Sequence, residues 1–157
     1  MKLAWKRLEK ESGHGAALAL LASLYRQETG GELPPIWKTP QGKPFFADSR
    51  LHFSVSHTKR HAFCCIHEEN VGIDAEETDR IVDPAVARRL FSPGEQQRIA
   101  SAQDPNGALL RLWVLKESYA KLTGRGLGNY LRETDFSPED PRIREIDGCY
   151  VAVLTER

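Results

Sequence analysis

The chain has 157 residues, with 22 basic and 22 acidic side chains, so its formal net charge is zero. Apolar residues make up 40% and charged residues 28%, which is typical of one globular domain, or two very small ones on a shared core. The balanced charge excludes a generally basic nucleic-acid coat and an acidic tail protein.

Three cysteines, Cys64, Cys65 and Cys149, argue against a disulfide framework or a zinc site. Their number is odd, two are adjacent, and the Cys-x-x-Cys spacing is absent. Each lies in an apolar run, so we expect buried free thiols in a reducing compartment. Residues 1–10 have no apolar signal core, and no apolar stretch approaches the ~20 residues of a membrane span. We therefore expect a cytoplasmic protein.

The first predicted element is a helix over residues 12–26, where apolar side chains recur at helical spacing. Residues 32–50 are rich in Pro and Gly and predict a loop. Three short strands are predicted next, at 53–56, 62–66 and 71–75. Their close spacing favours an antiparallel meander, because parallel neighbours need a much longer crossover.

Three helices are predicted after the strands, and each begins at a side chain suited to N-capping: Asp83, Ser92 and Asp104. Ser92 and Glu95 match a capping box, which gives Glu95 a structural role and removes it from the catalytic candidates. The third helix is the longest and ends near Leu122, before a glycine-rich stretch. A last strand over 149–154 completes an element order that predicts an α+β domain.

Two acidic side chains lie at the end of the third predicted strand. Because side chains alternate across a strand, Asp74 and Glu76 project from the same face. Two carboxylates on one face repel each other unless a cation lies between them, and Mg²⁺ prefers such oxygen ligands. A solvated strand end is the alternative, and it is the commoner explanation for an isolated acidic pair.

The longest predicted helix carries charged residues beside its apolar stripe. Lys116 and Glu117 flank the stripe to which Trp113 belongs, and Lys121 lies one turn beyond Glu117. A surface ion pair between Glu117 and Lys121 is one interpretation of this spacing. The other is that Glu117 faces into a site, with a lysine on each side to bind phosphate.

A Ser-His pair, Ser56 and His57, ends the first predicted strand. A serine nucleophile is not indicated, because the Gly-x-Ser-x-Gly elbow and an evident acidic partner are lacking. Contact with a phosphate or an adenine suits the pair better. Lys43 lies in a stiff Gly-Lys-Pro loop before this strand and is uninformative by itself.

The charge is unevenly distributed along the neutral chain. Residues 80–132 contain nine basic and four acidic side chains. This stretch predicts either a basic face for an acidic partner or, as is more common, a set of solvated helix surfaces.

Four ordered blocks carry a family resemblance: residues 42–45 (GKPF), 53–58 (FSVSHT), 71–76 (VGIDAE) and 113–121 (WVLKESYAK). Together they resemble the 4′-phosphopantetheinyl transferase superfamily, in particular its Sfp-like branch, over about residues 12–136. The resemblance implies an α+β fold with antiparallel sheet packed against helices. It also implies one transferase domain over residues 1–157, a truncated pseudo-two-fold pair with subdomains 1–68 and 69–157.

The resemblance further implies roles for individual residues. Asp74, Glu76 and Glu117 are expected to hold Mg²⁺, with Glu117 also the general base and Lys121 on the pyrophosphate of coenzyme A. Asp74, Glu117 and Lys121 thus form the expected catalytic set. The expected contacts to coenzyme A are Lys43, Ser56, His57, Lys116 and Lys121.

The implied activity is Mg²⁺-dependent transfer of 4′-phosphopantetheine from coenzyme A to a serine of an apo acyl or peptidyl carrier protein, releasing 3′,5′-ADP. Coenzyme A and the carrier are the expected partners, with neither nucleic acid nor membrane. Two alternatives stay open: a non-catalytic module that binds coenzyme A or carrier, and a Mg²⁺-dependent hydrolase of nucleotide pyrophosphates. Longer members carry a basic N-terminal segment that helps to bind coenzyme A, and we expect that segment to be largely absent here.

Overall fold

In the computed structural model of the chain, helices and antiparallel strands are mixed, as the α+β expectation requires. The structure describes residues 1–156, apart from the side chains of residues 86 and 87. The strands are β1 (Lys2–Arg7), β2 (Ile36–Lys38), β3 (Pro44–Phe46), β4 (His52–His57), β5 (His61–His67), β6 (Val71–Glu77), β7 (Ile143–Ile146) and β8 (Cys149–Thr155). The helices are α1 (Gly13–Thr29), α2 (Pro84–Leu90), α3 (Pro93–Ser101) and α4 (Pro105–Thr123), and a 3₁₀ turn covers Asn129–Glu133.

Two three-stranded antiparallel sheets form the body of the fold. The first sheet has the strand order β1-β5-β4, and the second has the order β6-β8-β7. The predicted meander is therefore half right: β4 and β5 do pair, with Ser56 opposite Phe63. Strand β6 instead pairs with the distant β8, with Asp74 opposite Ala152, because β8 offers it a full-length partner buried on both faces.

Three parts of the fold lie outside the predicted elements. Strand β1 adds to the first sheet beside β5, β2 and β3 form a hairpin within the predicted loop, and β7 pairs with β8. These strands are three to six residues long and mostly exposed, so they lack the buried apolar alternation that identifies a strand. Strand β1 is stabilised by pairing with the distant β5, and β2, β3 and β7 by pairing within short hairpins, so their own residues carry little strand signal.

The predicted helix signals are confirmed by the cap geometry. Ser92 and Glu95 form the capping box of α3, and Asp104 accepts a hydrogen bond from the Gly107 amide at the start of α4. Helix α4 ends at Gly124, whose φ of 70° is the left-handed conformation that glycine tolerates best. None of the helices within the described residues is long and apolar enough to cross a lipid bilayer.

Helix α4 lies unusually close to β6, and a glycine allows it. A Cβ atom on Gly72 would lie 2.0 Å from the Ser118 carbonyl oxygen and 2.6 Å from the Leu122 amide nitrogen. No side chain fits in that space, so the backbones of the strand and the helix meet at Gly72. This contact brings residues 117 and 121 of the helix next to the acidic end of β6.

The two sheets are joined where β4 runs beside β6. Here the Ser54 hydroxyl accepts a hydrogen bond from the Ile73 amide at 3.0 Å, and the Ser56 hydroxyl accepts one from the Ala75 amide at 3.2 Å. We call this row of contacts between Ser54, Ser56 and β6 the serine seam. It satisfies backbone amides at the edge of β6 that β8 does not reach.

Candidate active site

The carboxylate of Asp74 is the centre of the site and is bonded unevenly. Its side chain is only 7% exposed. The Oδ1 atom accepts hydrogen bonds from Lys121 Nζ at 2.8 Å and from Ser56 Oγ at 3.1 Å. The Oδ2 atom is buried and has no hydrogen-bond partner among the described residues. A buried carboxylate oxygen without a partner is costly, and it is the kind of atom that a bound cation would satisfy.

Glu117 projects from α4 beside Asp74 and lines the adjoining cavity. Burial, and after it the negative charge of Asp74, raises the pKa of Glu117 to about 7, although the positive charge of Lys121 opposes both effects. A carboxylate with a pKa near neutrality can accept a proton and release it under physiological conditions.

Glu76 is the third carboxylate and forms an ion pair with Arg80. Burial raises the pKa of Glu76, while the hydrogen bond from Arg80 lowers it. The Arg80 guanidinium also lies 5.8 Å from the centre of the Trp113 ring, so it connects the strand to α4. Arg80 was missed as a site residue by sequence reasoning, although its position four residues after Glu76 was a visible signal.

A cavity of about 260 Å³ opens beside these carboxylates. Its walls come from the loop before β3, from β4 and from α4 with the glycine-rich segment that follows it. The residues that carry charge in its lining are Lys43, Glu117 and Lys121. A mostly apolar cleft with a few charged groups at one end suits a ligand that has an anionic part.

Both cavity lysines keep one donor available. Lys121 Nζ donates to Asp74 and, at 3.3 Å, to the Val55 carbonyl oxygen. Lys43 Nζ donates to the Asn70 side chain and, at 2.7 Å, to the Leu122 carbonyl oxygen. An ammonium group has three N–H donors, so each lysine retains one for a ligand in the cavity.

Lys116 does not belong to this site, which corrects the expectation that it contacts coenzyme A. Its side chain is fully buried and pairs with the equally buried Glu95 at 2.7 Å. Lys116 Nζ also donates to the carbonyl oxygens of Leu131 and Thr134 and to the Thr134 hydroxyl. These contacts hold the 3₁₀ turn and the following Thr134 against α3 and α4.

Ser56 and His57, the Ser-His pair, differ in burial and in their contacts. Ser56 is buried and donates its single hydroxyl proton to Asp74, so it has no donor left for a phosphate. His57 is exposed and lies against the start of α1, where a Cβ on Gly13 would meet its ring. It borders an open depression together with Glu76 and Arg80. Of the two, only His57 is placed to meet a ligand directly.

The residues at this site fit Mg²⁺ by type, although they are not gathered around one point. Asp74, Glu76 and Glu117 are hard oxygen donors, and Asp74 Oδ2 is buried without a partner. Among the described residues, however, no three His, Cys, Asp or Glu side chains are placed to hold a metal ion. Glu76 is paired with Arg80, and it would have to turn away from Arg80 to bind a metal ion together with Asp74 and Glu117.

Comparisons with known proteins agree with this arrangement. The family model of the 4′-phosphopantetheinyl transferase superfamily matches residues 70–149, about half of the chain. The match includes β6 and α4, and hence all three carboxylates and Lys121.

Three curated relatives show how much of a longer protein the chain resembles. The 4′-phosphopantetheinyl transferase gsp of Aneurinibacillus migulanus is 37% identical over 92 residues, covering 57% of this chain and 38% of the relative. The transferase Sfp of Bacillus subtilis is 33% identical over 89 residues, covering 55% and 39%. YieE of Escherichia coli, an uncharacterised protein, is 34% identical over 142 residues, covering 86% and 57%.

The matches therefore span between about two fifths and three fifths of the length of these relatives. The family model nevertheless covers the part of the chain that carries the three carboxylates and Lys121, on β6 and α4. On this evidence the chain belongs to the 4′-phosphopantetheinyl transferase superfamily.

Proposed function

We propose that this chain transfers 4′-phosphopantetheine from coenzyme A to a serine hydroxyl of an apo acyl or peptidyl carrier protein, with release of 3′,5′-ADP. The observation that carries the proposal is the placement of Glu117, with a pKa of about 7, beside Asp74 and Lys121 at the charged end of a cavity. The similarity to gsp and Sfp, both 4′-phosphopantetheinyl transferases, supports the same reaction.

In this reaction the serine oxygen of the carrier forms a bond to the β-phosphorus of coenzyme A. The bond from that phosphorus to the bridging oxygen breaks, and 3′,5′-ADP leaves with the bridging oxygen. A serine hydroxyl is a poor nucleophile, so Glu117 takes its proton as the bond forms. The raised pKa suits Glu117 to this task, since a more acidic carboxylate would be a weaker base.

The charge on the pyrophosphate has to be neutralised for the serine to approach. Lys121 does so with the N–H donor that Asp74 and Val55 leave available, and Lys43 is placed to hold another anionic part of coenzyme A. Mg²⁺ held by Asp74, Glu76 and Glu117 would, when bound, stabilise the negative charge on the transferred phosphate. We assign the adenosine 3′-phosphate to His57, which is exposed and borders the depression beside Glu76 and Arg80.

Three arginines offer a surface for the carrier. Within residues 80–132, most basic side chains pair with a carboxylate or lie over an aromatic ring. Arg88 and Arg89 at the end of α2, and Arg132 in the 3₁₀ turn that packs against α2, are exposed. We call these three residues the arginine patch. Because carrier proteins are typically acidic around the modified serine, the patch would attract them.

One assay tests the proposal against its alternatives. The protein is incubated with coenzyme A, Mg²⁺ and an apo carrier, and the carrier mass and the nucleotide products are measured. A mass gain of one phosphopantetheine with equal release of 3′,5′-ADP is the expected result. Nucleotide release without a mass gain would indicate hydrolysis, and neither change would indicate a binding module; both would contradict the proposed transfer.

A further inference from the structure

We propose that Ser56 is a positioning residue, which holds Asp74 Oδ1 so that Asp74 Oδ2 is presented to Mg²⁺. This inference rests on the proposed function, since it concerns the same metal site. It replaces the expected contact between Ser56 and coenzyme A with a role one step removed from the ligand.

The two oxygens of Asp74 differ sharply in their surroundings. Oδ1 accepts two hydrogen bonds, from Ser56 and Lys121, whereas Oδ2 is buried with no partner among the described residues. Rotation of the carboxylate would exchange these environments and break both bonds to Oδ1. The pair of donors therefore fixes which oxygen is bonded internally and which one remains available.

Ser56 is itself held rigidly enough to act in this way. It lies on β4, is 6% exposed, and its oxygen accepts a hydrogen bond from the Ala75 amide at 3.2 Å. The amide belongs to the residue after Asp74, so the hydroxyl contacts the backbone and the side chain of the same short segment. Side chains that orient metal ligands in this manner contribute strongly to metal affinity.

Ser56 and Lys121 both bind Asp74, but only Lys121 is also needed to bind the ligand in the cavity. Lys121 is 32% exposed and lines the cavity, so its ammonium group is also needed by an incoming phosphate. Ser56 does not line the cavity, and within the part of the chain that the structure describes its hydroxyl donates to Asp74 alone. Ser56 thus keeps Asp74 oriented while Lys121 shares its ammonium donors between Asp74 and the phosphate.

Ser54 provides a matched comparison within the serine seam. It lies two residues earlier on the same strand, is also 6% exposed, and accepts a hydrogen bond from the Ile73 amide at 3.0 Å. Ser54 lines the cavity, but unlike Ser56 it donates no hydrogen bond to a carboxylate within the described part of the chain, so Mn²⁺ binding without coenzyme A gives the direct comparison. Replacing either serine removes one seam contact, but only replacement of Ser56 also removes a hydrogen bond to Asp74.

The test measures binding of Mn²⁺, as a spectroscopic substitute for Mg²⁺, by electron paramagnetic resonance with and without coenzyme A. We expect Ser56→Ala to weaken Mn²⁺ binding by about 10- to 100-fold, the usual effect of losing a group that orients a ligand. Ser54→Ala should lower the melting temperature to a similar extent and change Mn²⁺ affinity by less than about threefold, within the scatter of indirect effects. Ser56→Thr, which retains a hydroxyl, should restore most of the affinity.

The outcomes separate this inference from the proposed function. If the wild-type chain binds Mn²⁺ and Ser56→Ala binds it equally well, or if both alanine variants weaken binding equally, the positioning role is wrong and the metal site stands. If the wild-type chain binds no Mn²⁺ even with coenzyme A, the metal site of the proposed function is wrong, and the positioning role fails with it.

Discussion

At the scale of single residues, Glu117 and Lys116 are neighbours in sequence but lie in different surroundings in the fold. Glu117 lines the cavity, while Lys116 is fully buried on another side of α4. Their positions beside the apolar stripe do not distinguish a residue facing a site from one facing the core. Buried charges need partners, and Lys116 has one in Glu95, the same residue that caps α3.

Replacing Glu117 by Gln tests the proposed base. Glutamine has nearly the same shape but cannot accept the serine proton, so we expect the rate of carrier modification to fall by about 10²- to 10⁴-fold. The rate is measured from the carrier mass at early times, with far-ultraviolet circular dichroism as a check on folding. Glu145→Gln, an exposed site on β7, should retain wild-type activity. Full activity in Glu117→Gln would rule out its role as base.

Replacing Lys116 by Met tests its structural role. The substitution leaves the buried Glu95 carboxylate without its cation, so we expect the free energy of unfolding to fall by about 3–5 kcal/mol. Urea denaturation gives this quantity. The double variant Lys116→Met with Glu95→Gln should recover part of the loss, because it also removes the uncompensated charge. An unchanged midpoint in the single variant would contradict a structural ion pair.

At the scale of elements, the sequence predicts a helix or strand well where the stabilising contacts join neighbouring residues, and poorly where they join distant ones. The caps of α3 and α4 are local hydrogen bonds between neighbouring residues, so sequence reasoning located both helices well. Strand β6 was also found, but its partner β8 lies more than seventy residues away, and the nearby β5 was chosen instead. The approach of α4 to β6 could not be predicted either, because a glycine in a strand has several explanations.

Gly72→Ala tests that approach. The new methyl group would meet the Ser118 carbonyl oxygen and the Leu122 amide in α4, both backbone atoms that cannot move alone. We expect the free energy of unfolding to fall by about 1–3 kcal/mol or more, as in other overpacked cores, together with loss of transfer activity as α4 shifts. Gly31→Ala is the control, since its Cβ would meet only the Thr29 hydroxyl at 3.5 Å. Equal stability of the two variants would show that the contact tolerates a side chain.

At the scale of the whole molecule, side chains hold the two sheets together in more than one place. The serine seam joins β4 to β6, and Asp147 in the turn between β7 and β8 reaches the first sheet. Asp147 accepts hydrogen bonds from Arg7 on β1 at 2.5 and 2.6 Å and is 2.8 Å from His61 Nε2 on β5. Neither connection was predicted, because each joins residues of two different sheets, and the sequence does not indicate which strands form each sheet. The convergence of Asp74, Glu117 and Lys121 was expected only through the family resemblance, for the same reason.

Asp147→Asn tests the connection made by the turn through its dependence on pH. The hydrogen bond from Arg7, and after it the contact with His61, holds the pKa of Asp147 well below its usual range. A carboxylate with a lowered folded-state pKa stabilises the fold above its unfolded pKa, about 3.9, and this stabilisation is lost as the pH falls toward the folded value. Asparagine tolerates the positive φ of 49° at this turn, so the hairpin is retained.

We therefore expect Asp147→Asn to unfold at lower urea concentration than the wild-type chain at pH 7, and the gap to narrow at pH 3. Arg7→Gln should show the same narrowing, since it removes the other partner of the ion pair. A gap of equal size at both pH values would mean that the charge of Asp147 contributes nothing to joining the sheets.

Under the proposed function, the arginine patch is the surface at which the carrier protein approaches the molecule. Arg88 and Arg89 lie on α2, away from the residues that line the cavity. Replacing both by Glu should raise the apparent KM for carrier about tenfold or more, while the KM for coenzyme A stays within about twofold, because the change repels the acidic carrier but leaves the cavity intact. The wild-type KM for carrier should also rise with salt, and the double variant should show a weaker or reversed salt dependence.

Arg50→Glu, a charge reversal at an exposed residue near the start of β4, is the control and should change neither KM value. If the double variant raises both KM values equally, these arginines support the fold or the coenzyme A site, and the carrier must approach from another face.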